Sequence, residues 1–242
     1  MWTSDVAYDS FMGRFSRRLA PLFADFAGVR PGDRVLDVGA GTGALTEELV
    51  RRGAVTAAAE PAPAFAESLR RRFPELDVRE TGAEELPWPD DAFDVAAAQL
   101  VVAFMTDARA GIAEMKRVAG RAVAIGMWDL EGQQLLASVN HVRERMGEAP
   151  TEPRRYRTAA ELEELLGAGA ETAALDVEAG YEGFEDYWEA LLGGAGPLGE
   201  WVASLQGERR ETARVELIRE LGDPQGPFTL TARCWAARVS CG

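Results

Sequence analysis

The chain has 242 residues, 47% hydrophobic and 27% charged, which excludes a disordered tail or a fibrous repeat and suits one large α/β domain or a core with a small cap. Its 26 basic residues against 40 acidic ones leave a net charge of −14, a field that repels phosphate backbones and sets nucleic acid aside as the main partner. No apolar run reaches the roughly 20 residues that span a bilayer, and Met1-Trp-Thr-Ser-Asp5 lacks the start of a signal peptide, so a cytoplasmic protein with no membrane partner is expected.

In chain order, Phe15, Leu19, Leu22, Phe23 and Phe26 predict one apolar face of a first helix, with Pro21 beginning or bending its regular turn. Pro31-Gly32 punctuates the chain, and Arg34–Val38 reads as a short buried strand. After a glycine cluster, Ala44–Arg52 predicts a helix with Leu45 and Leu49 inward. Glu47–Arg51 and Glu48–Arg52 are spaced for pairing on its outer face, and Gly53 closes it. The alternation continues with strands at Val55–Glu60, Leu76–Glu80 and the apolar run Phe93–Val102. Helices are expected at Ala64–Phe73 and Ala108–Ala119, the latter stopped by Gly120, before a fifth strand at Ala122–Trp128. Strands alternating with helices make βαβ units, whose crossovers stack helices on both faces of a parallel sheet.

Beyond Trp128 the rhythm loosens. Gln133–Met146 reads as helical, Pro150–Pro153 as a linker, and Thr158–Leu166 as a helix begun by a capping threonine. Thr172–Val177 is a sixth strand, Phe184–Arg219 a helical interruption, and Phe228–Val239 a closing strand. The fold class is therefore α/β: a doubly wound, Rossmann-like, mostly parallel seven-stranded sheet with a helical lid inserted near the C-terminus. Residues 1–130 would hold the first helix and the cofactor-binding core, and 131–242 the remaining strands and the lid, as one domain overall.

The chemistry-bearing stretch is Val35-Leu-Asp-Val-Gly-Ala-Gly-Thr-Gly43. Gly39, Gly41 and Gly43 free the backbone to turn after the strand, and the following helix points its N-terminal amides at whatever binds there. Gly39-x-Gly41-x-x-Ala44 also fits a dinucleotide fingerprint. Asp37 argues otherwise, because a carboxylate beside the turn repels a pyrophosphate and suits the ammonium and sulfonium of a methionine group. Glu60, at the end of the second strand, is placed to accept both hydroxyls of a ribose. Ribose plus a zwitterionic amino acid describes S-adenosylmethionine better than NAD.

These residues resemble the class I S-adenosylmethionine-dependent methyltransferases. Asp37-x-Gly39-x-Gly41-x-Gly43 is similar to their first motif, Glu60 stands at the ribose position, and Gly82-Ala-Glu-Glu-Leu-Pro-Trp-Pro-Asp-Asp-Ala-Phe-Asp94 resembles their loop and fourth strand. The likeness runs from about Val35 to Trp128 and is closest to the small-molecule branch that includes quinone-biosynthesis enzymes. It implies that Asp37 and Gly39 hold the methionine ammonium and that Gly41 allows close approach, with Ala40 and Gly43 completing the turn. It further implies that Glu60 and Pro61 border the ribose, that Ala83 offers its amide to adenine, and that Gln99 and Leu100 border the methionine side. Where the family often carries an aspartate that accepts from the adenine amino group, this chain has Gly82. Adenine is then left to Glu84, a backbone carbonyl or water.

The expected activity is transfer of a methyl group to a small-molecule acceptor by in-line displacement. The alternatives are a non-catalytic S-adenosylmethionine-binding protein and an NAD-dependent oxidoreductase. No catalytic base is assigned, and no metal site is expected. Of the 26 basic residues only Lys116 is a lysine, and His141, the single histidine, lies in a polar helix that reads as solvated. Tyr8 and Arg14, with Tyr187 and Trp188, are candidate substrate-pocket residues, against a surface helix for the first pair and a sealed core for the second. Trp201 belongs with that second pair. Glu161, Glu163 and Glu164 read as a solvated helix face and Cys234 as a buried, inert thiol. Oligomeric state is left open.

Overall fold

The computed structural model describes residues 10–129, 134–148, 155–194 and 196–241. The first helix, α1 (Gly13–Phe26), runs through Pro21 without ending there. Phe15, Leu19 and Phe23 are fully buried along one stripe, and that burial outweighs the backbone hydrogen bond a proline forfeits. Leu22 stands off the stripe and is 39% exposed, so it does not belong to the inward face expected of it.

Alternation of strand and helix then builds β1 (Arg34–Val38), α2 (Ala44–Arg51), β2 (Val55–Ala59), α3 (Pro63–Arg72), β3 (Asp77–Arg79) and β4 (Phe93–Gln99). A single 3₁₀ turn at Val102–Phe104 leads to α4 (Ala108–Val118), which passes directly into β5 (Ala119–Trp128). Gly120 is therefore the second residue of a strand and not a helix stop. The apolar run expected to reach Val102 leaves the sheet at Gln99. The chain continues with α5 (Gln134–Arg145), α6 (Ala159–Leu166), β6 (Glu171–Tyr181), α7 (Phe184–Leu192), α8 (Gly196–Ser204), α9 (Gly207–Glu220) and β7 (Phe228–Ser240). β6 extends four residues past the expected Val177. The Pro150–Pro153 linker lies outside the described residues.

The strands form one seven-stranded sheet in the order β3-β2-β1-β4-β5-β7-β6. β1 to β5 are parallel neighbours, and β7 pairs antiparallel with β5 from Trp128↔Cys234 to Ala122↔Ser240. This is the mostly parallel α/β sheet that the rhythm of the sequence calls for.

Two compact units divide the chain, one of residues 19–128, 154–175 and 234–242, the other of 1–18, 129–153 and 176–233. In the first, Leu36, Ala96, Val123 and Ile125 of the sheet pack with Ile112, Met115 and Val118 of α4 and Leu162 and Leu166 of α6. Small side chains on β2 and β4 bring helix and sheet close. Gly126 is bare for the same reason, since a Cβ there would lie 3.1 Å from the Phe23 ring of α1 and 2.9 Å from the Cys234 sulfur of β7. Cys234 itself is fully buried, and burial pushes its thiol well above the ordinary range.

On α2, Glu48 takes both Arg51 and Arg52 at 2.6 Å, whereas Glu47 pairs with Arg72 of α3, not with Arg51. In the second unit, α5 and α9 are tied through Arg145 to Glu216 and Glu220, and the ring of His141 meets Glu220 at 2.8 Å. His141 remains on an exposed face, away from any buried base role.

Thr158 opens α6 with a reciprocal cap. Its hydroxyl accepts the Glu161 amide, and the Glu161 carboxylate accepts the Thr158 amide at 3.1 Å, so Glu161 is a capping residue and not merely part of a solvated face. Thr158→Ala should lower the unfolding free energy by about 1 kcal/mol, read as a lower urea midpoint with an unchanged slope. An unmoved midpoint would show that tertiary packing alone sets the start of α6.

Candidate functional site

The order of the sheet reverses between β1 and β4, because β2 and β3 lie on one side of β1 while β4 and β5 lie on the other. Helices leaving neighbouring strands there go to opposite faces and leave a crevice beyond the strands' carboxyl ends. The glycine turn sits at that edge. The amides of Gly39 and Ala40 donate to the Ala59 carbonyl at 2.7 and 3.2 Å, so the end of β2 holds the start of the turn. Gly39 and Gly41 have φ of +68° and +55°, in the left-handed region. A Cβ on Gly39 would fall 2.3 Å from Val101, whereas one on Gly41 would meet only the Gly39 carbonyl, at 4.0 Å. The first glycine thus closes the turn against the β4 loop, and Gly41 leaves its own side open to a ligand. Gly43 begins α2, where a side chain would strike Leu69 and Phe73 of α3.

Two carboxylates flank this turn. Asp37 is 1% exposed and Glu60 5% exposed, at the ends of adjacent parallel strands in register Asp37↔Ala58 and Val38↔Ala59. Asp37 accepts from the Thr46 hydroxyl at 2.6 Å. Burial pushes its pKa up to about 7, opposed by the Thr46 bond and reinforced by the nearby Glu60 charge. Glu60 is also raised by burial, but its two oxygens accept the amides of Gly41 and Ala62, each at 2.8 Å, which favour the ionised form. A buried carboxylate with no cation beside it is the arrangement a positively charged ligand group completes. Pro61 is exposed at the turn into α3.

The far wall comes from β4. Gln99 pairs with Gly126 of β5, and the Leu100 amide donates to the Gly126 carbonyl at 2.8 Å. Leu100 has φ of +65°, a conformation that costs a leucine about 1 kcal/mol or more and persists only where its surroundings enforce it. The loop after β3 places Ala83 in the core beside α4, with Gly82 and Glu84 half-buried. The sheet edge thus gathers Asp37, Gly39, Ala40, Gly41, Gly43, Glu60, Gln99 and Leu100 at adjacent strand ends, with the 82–84 loop leaving β3. Among the described residues no group of His, Cys, Asp and Glu is assembled to hold a metal ion, and no helix is long and apolar enough to cross a membrane.

Comparison with known proteins shows what this edge is similar to. Residues 36–122 match the family described as a methyltransferase domain. The chain is 31% identical over 133 residues to an uncharacterised protein of Mycobacterium tuberculosis, covering 52% of this chain and 48% of that one. It is 32% identical over 114 residues to a demethylmenaquinone methyltransferase of Renibacterium salmoninarum, covering 47% of this chain and 48% of that one. The chain therefore spans about half the length of these curated relatives. Its fold is similar to the [4+2]-cyclase SpnF, with a TM-score of 0.57, 21% identity and coverage of 93% and 82% of the two chains.

Three residues around the glycine turn escaped the sequence reading. Thr46 bonds Asp37, the guanidinium of Arg72 donates to the Thr42 carbonyl inside the turn, and Val101 fills the space that Gly39 leaves. A hydroxyl in the first turn of α2 is the only local signal for any of them, because the other two contacts link distant parts of the chain.

In the other unit, Arg14 is fully engaged. It forks onto Asp186, donates to the carbonyls of Ser10 and Gly180, and lies 4.8 Å over the Tyr181 ring. The hydrogen bond from Arg14, helped by its charge, holds the Asp186 carboxyl below the usual range. Tyr187 is fully buried within hydrogen-bond reach of Ser138, and Trp188 stacks on Phe184. Trp201 is buried too, so these aromatic residues build that unit's core. Tyr8 lies outside the described residues.

The Asp37 shift has a consequence for stability. The folded chain protonates this carboxyl near pH 7, the unfolded chain only near about 3.9, so between those values the folded state binds more protons. Its contribution is therefore present at low pH and is lost as pH rises through 7. Urea unfolding should show that Asp37→Asn loses less stability than the wild type between about pH 5 and about pH 8. Parallel profiles would mean that Asp37 is ionised throughout.

Proposed function

We propose that the protein is an S-adenosylmethionine-dependent methyltransferase acting on a small-molecule acceptor. The observation that carries this reading is the pair of buried carboxylates, Asp37 and Glu60, set on either side of a glycine turn whose Gly41 amide is bonded to Glu60. That donor set suits a ligand with a cationic end and a vicinal diol, and it disfavours a pyrophosphate at the turn.

When bound, the cofactor supplies a sulfonium-activated methyl group that an oxygen, nitrogen or carbon nucleophile displaces in line. The chain's work is to hold it. Asp37 neutralises the ammonium, and Glu60 accepts from the ribose hydroxyls through lone pairs its two backbone bonds leave over. Gly41 keeps the backbone bare for close approach, Ala83 presents its amide to the base, and Gln99 and Leu100 wall the methionine side. Positioning of this kind contributes up to roughly 7–11 kcal/mol toward an intrinsically activated transfer, so no dedicated base is required of the sequence.

The name of the demethylmenaquinone methyltransferase relative supports a partly apolar acceptor, and the net charge of −14 disfavours nucleic acid. A cytoplasmic location accords with such an acceptor. Likeness to a cyclase shows that this fold serves reactions other than methyl transfer, so the reading in which the cofactor is bound but no methyl is moved is separated by turnover.

Calorimetric titration with S-adenosylhomocysteine should give saturable binding, with NAD giving none. Glu60→Ala should weaken that binding by about ten- to a hundredfold, the worth of hydrogen bonds to a charged acceptor. Binding of NAD without S-adenosylhomocysteine would overturn the proposal. Binding with no methyl transfer across an acceptor screen would leave a cofactor-binding protein.

A further inference from the structure

α2 begins without a side-chain cap of its own. Its N-cap is Gly43, and the first bond of the helix runs from the Glu47 amide to the Gly43 carbonyl at 2.9 Å. The amides of Ala44, Leu45 and Thr46 therefore have no carbonyl inside the helix to bond. The chain answers the last of them from another element. Asp37 of β1 accepts from the Thr46 amide and, at 2.6 Å, from the Thr46 hydroxyl. A strand carboxylate thus serves as the cap that Gly43 cannot provide.

A helical threonine commonly gives its hydroxyl to a carbonyl one turn back. Here those carbonyls accept from other groups, Gly43 from the Glu47 amide and Thr42 from Arg72, and the Thr46 hydroxyl goes to Asp37. Both partners are buried. What faces Asp37 offers no compensating cation. It stands in register with Ala58 of β2 and Ala97 of β4, Glu60 after β2 carries a like charge, and Thr46 of α2 is neutral. The α2 arginines, Arg51 and Arg52, are taken by Glu48. Among the described residues, two donors at the positive end of a helix are the support an Asp37 charge has.

Resting on the cofactor reading above, we infer that Thr46 is a positioning residue of the site: its hydroxyl and amide hold the Asp37 carboxylate at the head of α2, as the counter-charge that a ligand's ammonium meets. Thr46 touches no ligand atom and acts through Asp37. A pH dependence follows. Burial and the Glu60 charge push the Asp37 pKa up to about 7, and an ammonium pairs only with the ionised form. At and below that pH, occupancy therefore requires Asp37 to lose a proton. Thr46 sets how readily the proton leaves, because a donated hydroxyl stabilises the charge left behind.

The test is the calorimetric affinity for S-adenosylhomocysteine from about pH 6 to about pH 8, in two buffers of unlike ionisation enthalpy. The wild type should bind about tenfold tighter across that range, releasing about one proton at its lower end and almost none at its upper end. Thr46→Val keeps the shape and drops the hydroxyl. It should bind about tenfold more weakly at about pH 6, with the deficit shrinking to about twofold at about pH 8. Thr46→Ser should restore the wild-type profile. Thr46→Cys, a weaker donor of similar size, should show a smaller deficit of the same shape and serves should Thr46→Val fail to fold. A deficit equal at every pH would make Thr46 a packing residue only, and a wild-type affinity indifferent to pH would remove the proton. Either overturns the inference and leaves the cofactor reading in place. A wild type that binds no S-adenosylhomocysteine at any of these pH values overturns both.

Discussion

The end of β2 holds the turn after β1, and the site's geometry depends on that grip. The Ala59 carbonyl takes the Gly39 and Ala40 amides, and one residue later the Glu60 carboxylate takes the Gly41 amide. Three successive N–H groups of the glycine turn are thereby fixed by the end of the neighbouring strand and the residue after it. A parallel pair in register permits this, since both strands reach the same edge together. Arg72 secures the turn from behind through the Thr42 carbonyl, and Leu69 and Phe73 of α3 pack where a side chain on Gly43 would sit.

Around that turn the chain retains several unfavourable features. Asp37 is buried with a raised pKa, Leu100 is held in a left-handed conformation, and Gly39 and Val101 are as close as a missing side chain allows. Each conflicts with a local preference, and each is enforced by packing of the surrounding sheet, which is almost wholly apolar. Concentration of such conflicts at one edge is what physical chemistry expects of a functional site, where strain and perturbed ionisation tend to cluster. The other unit is organised differently. Its centre is an aromatic cluster of Tyr181, Tyr187, Phe184, Trp188 and Phe228, bordered by the Arg14–Asp186 pair, and its polar groups are spent on its own architecture.

The fold is similar to that of a cyclase over most of the chain, while the match to a methyltransferase family is confined to residues 36–122. Residues 36–122 contain the strand-end crevice and its glycine turn, whereas the likeness in fold extends over most of the chain. What distinguishes one reaction from another must reside in the residues facing the second substrate, since a fold positions chemistry without choosing it.

The sequence by itself determined the βα rhythm, the seven strands, the glycine turn and its two carboxylates, because each is written in residues close along the chain. Periodicity is a local property, and so is the run from Asp37 to Gly43. The capping threonine at 158 was legible for the same reason. Only the tertiary structure decided what depends on distant partners. It carried α1 through Pro21 and left Leu22 outside, because the stripe of Phe15, Leu19 and Phe23 had a core to enter. It gave Glu47 to Arg72, joined Asp37 to Thr46, and committed Arg14 to Asp186. It also folded Glu84 over Gly82. A contact of this kind leaves no periodic or spacing signal in the sequence, so only the folded chain shows it.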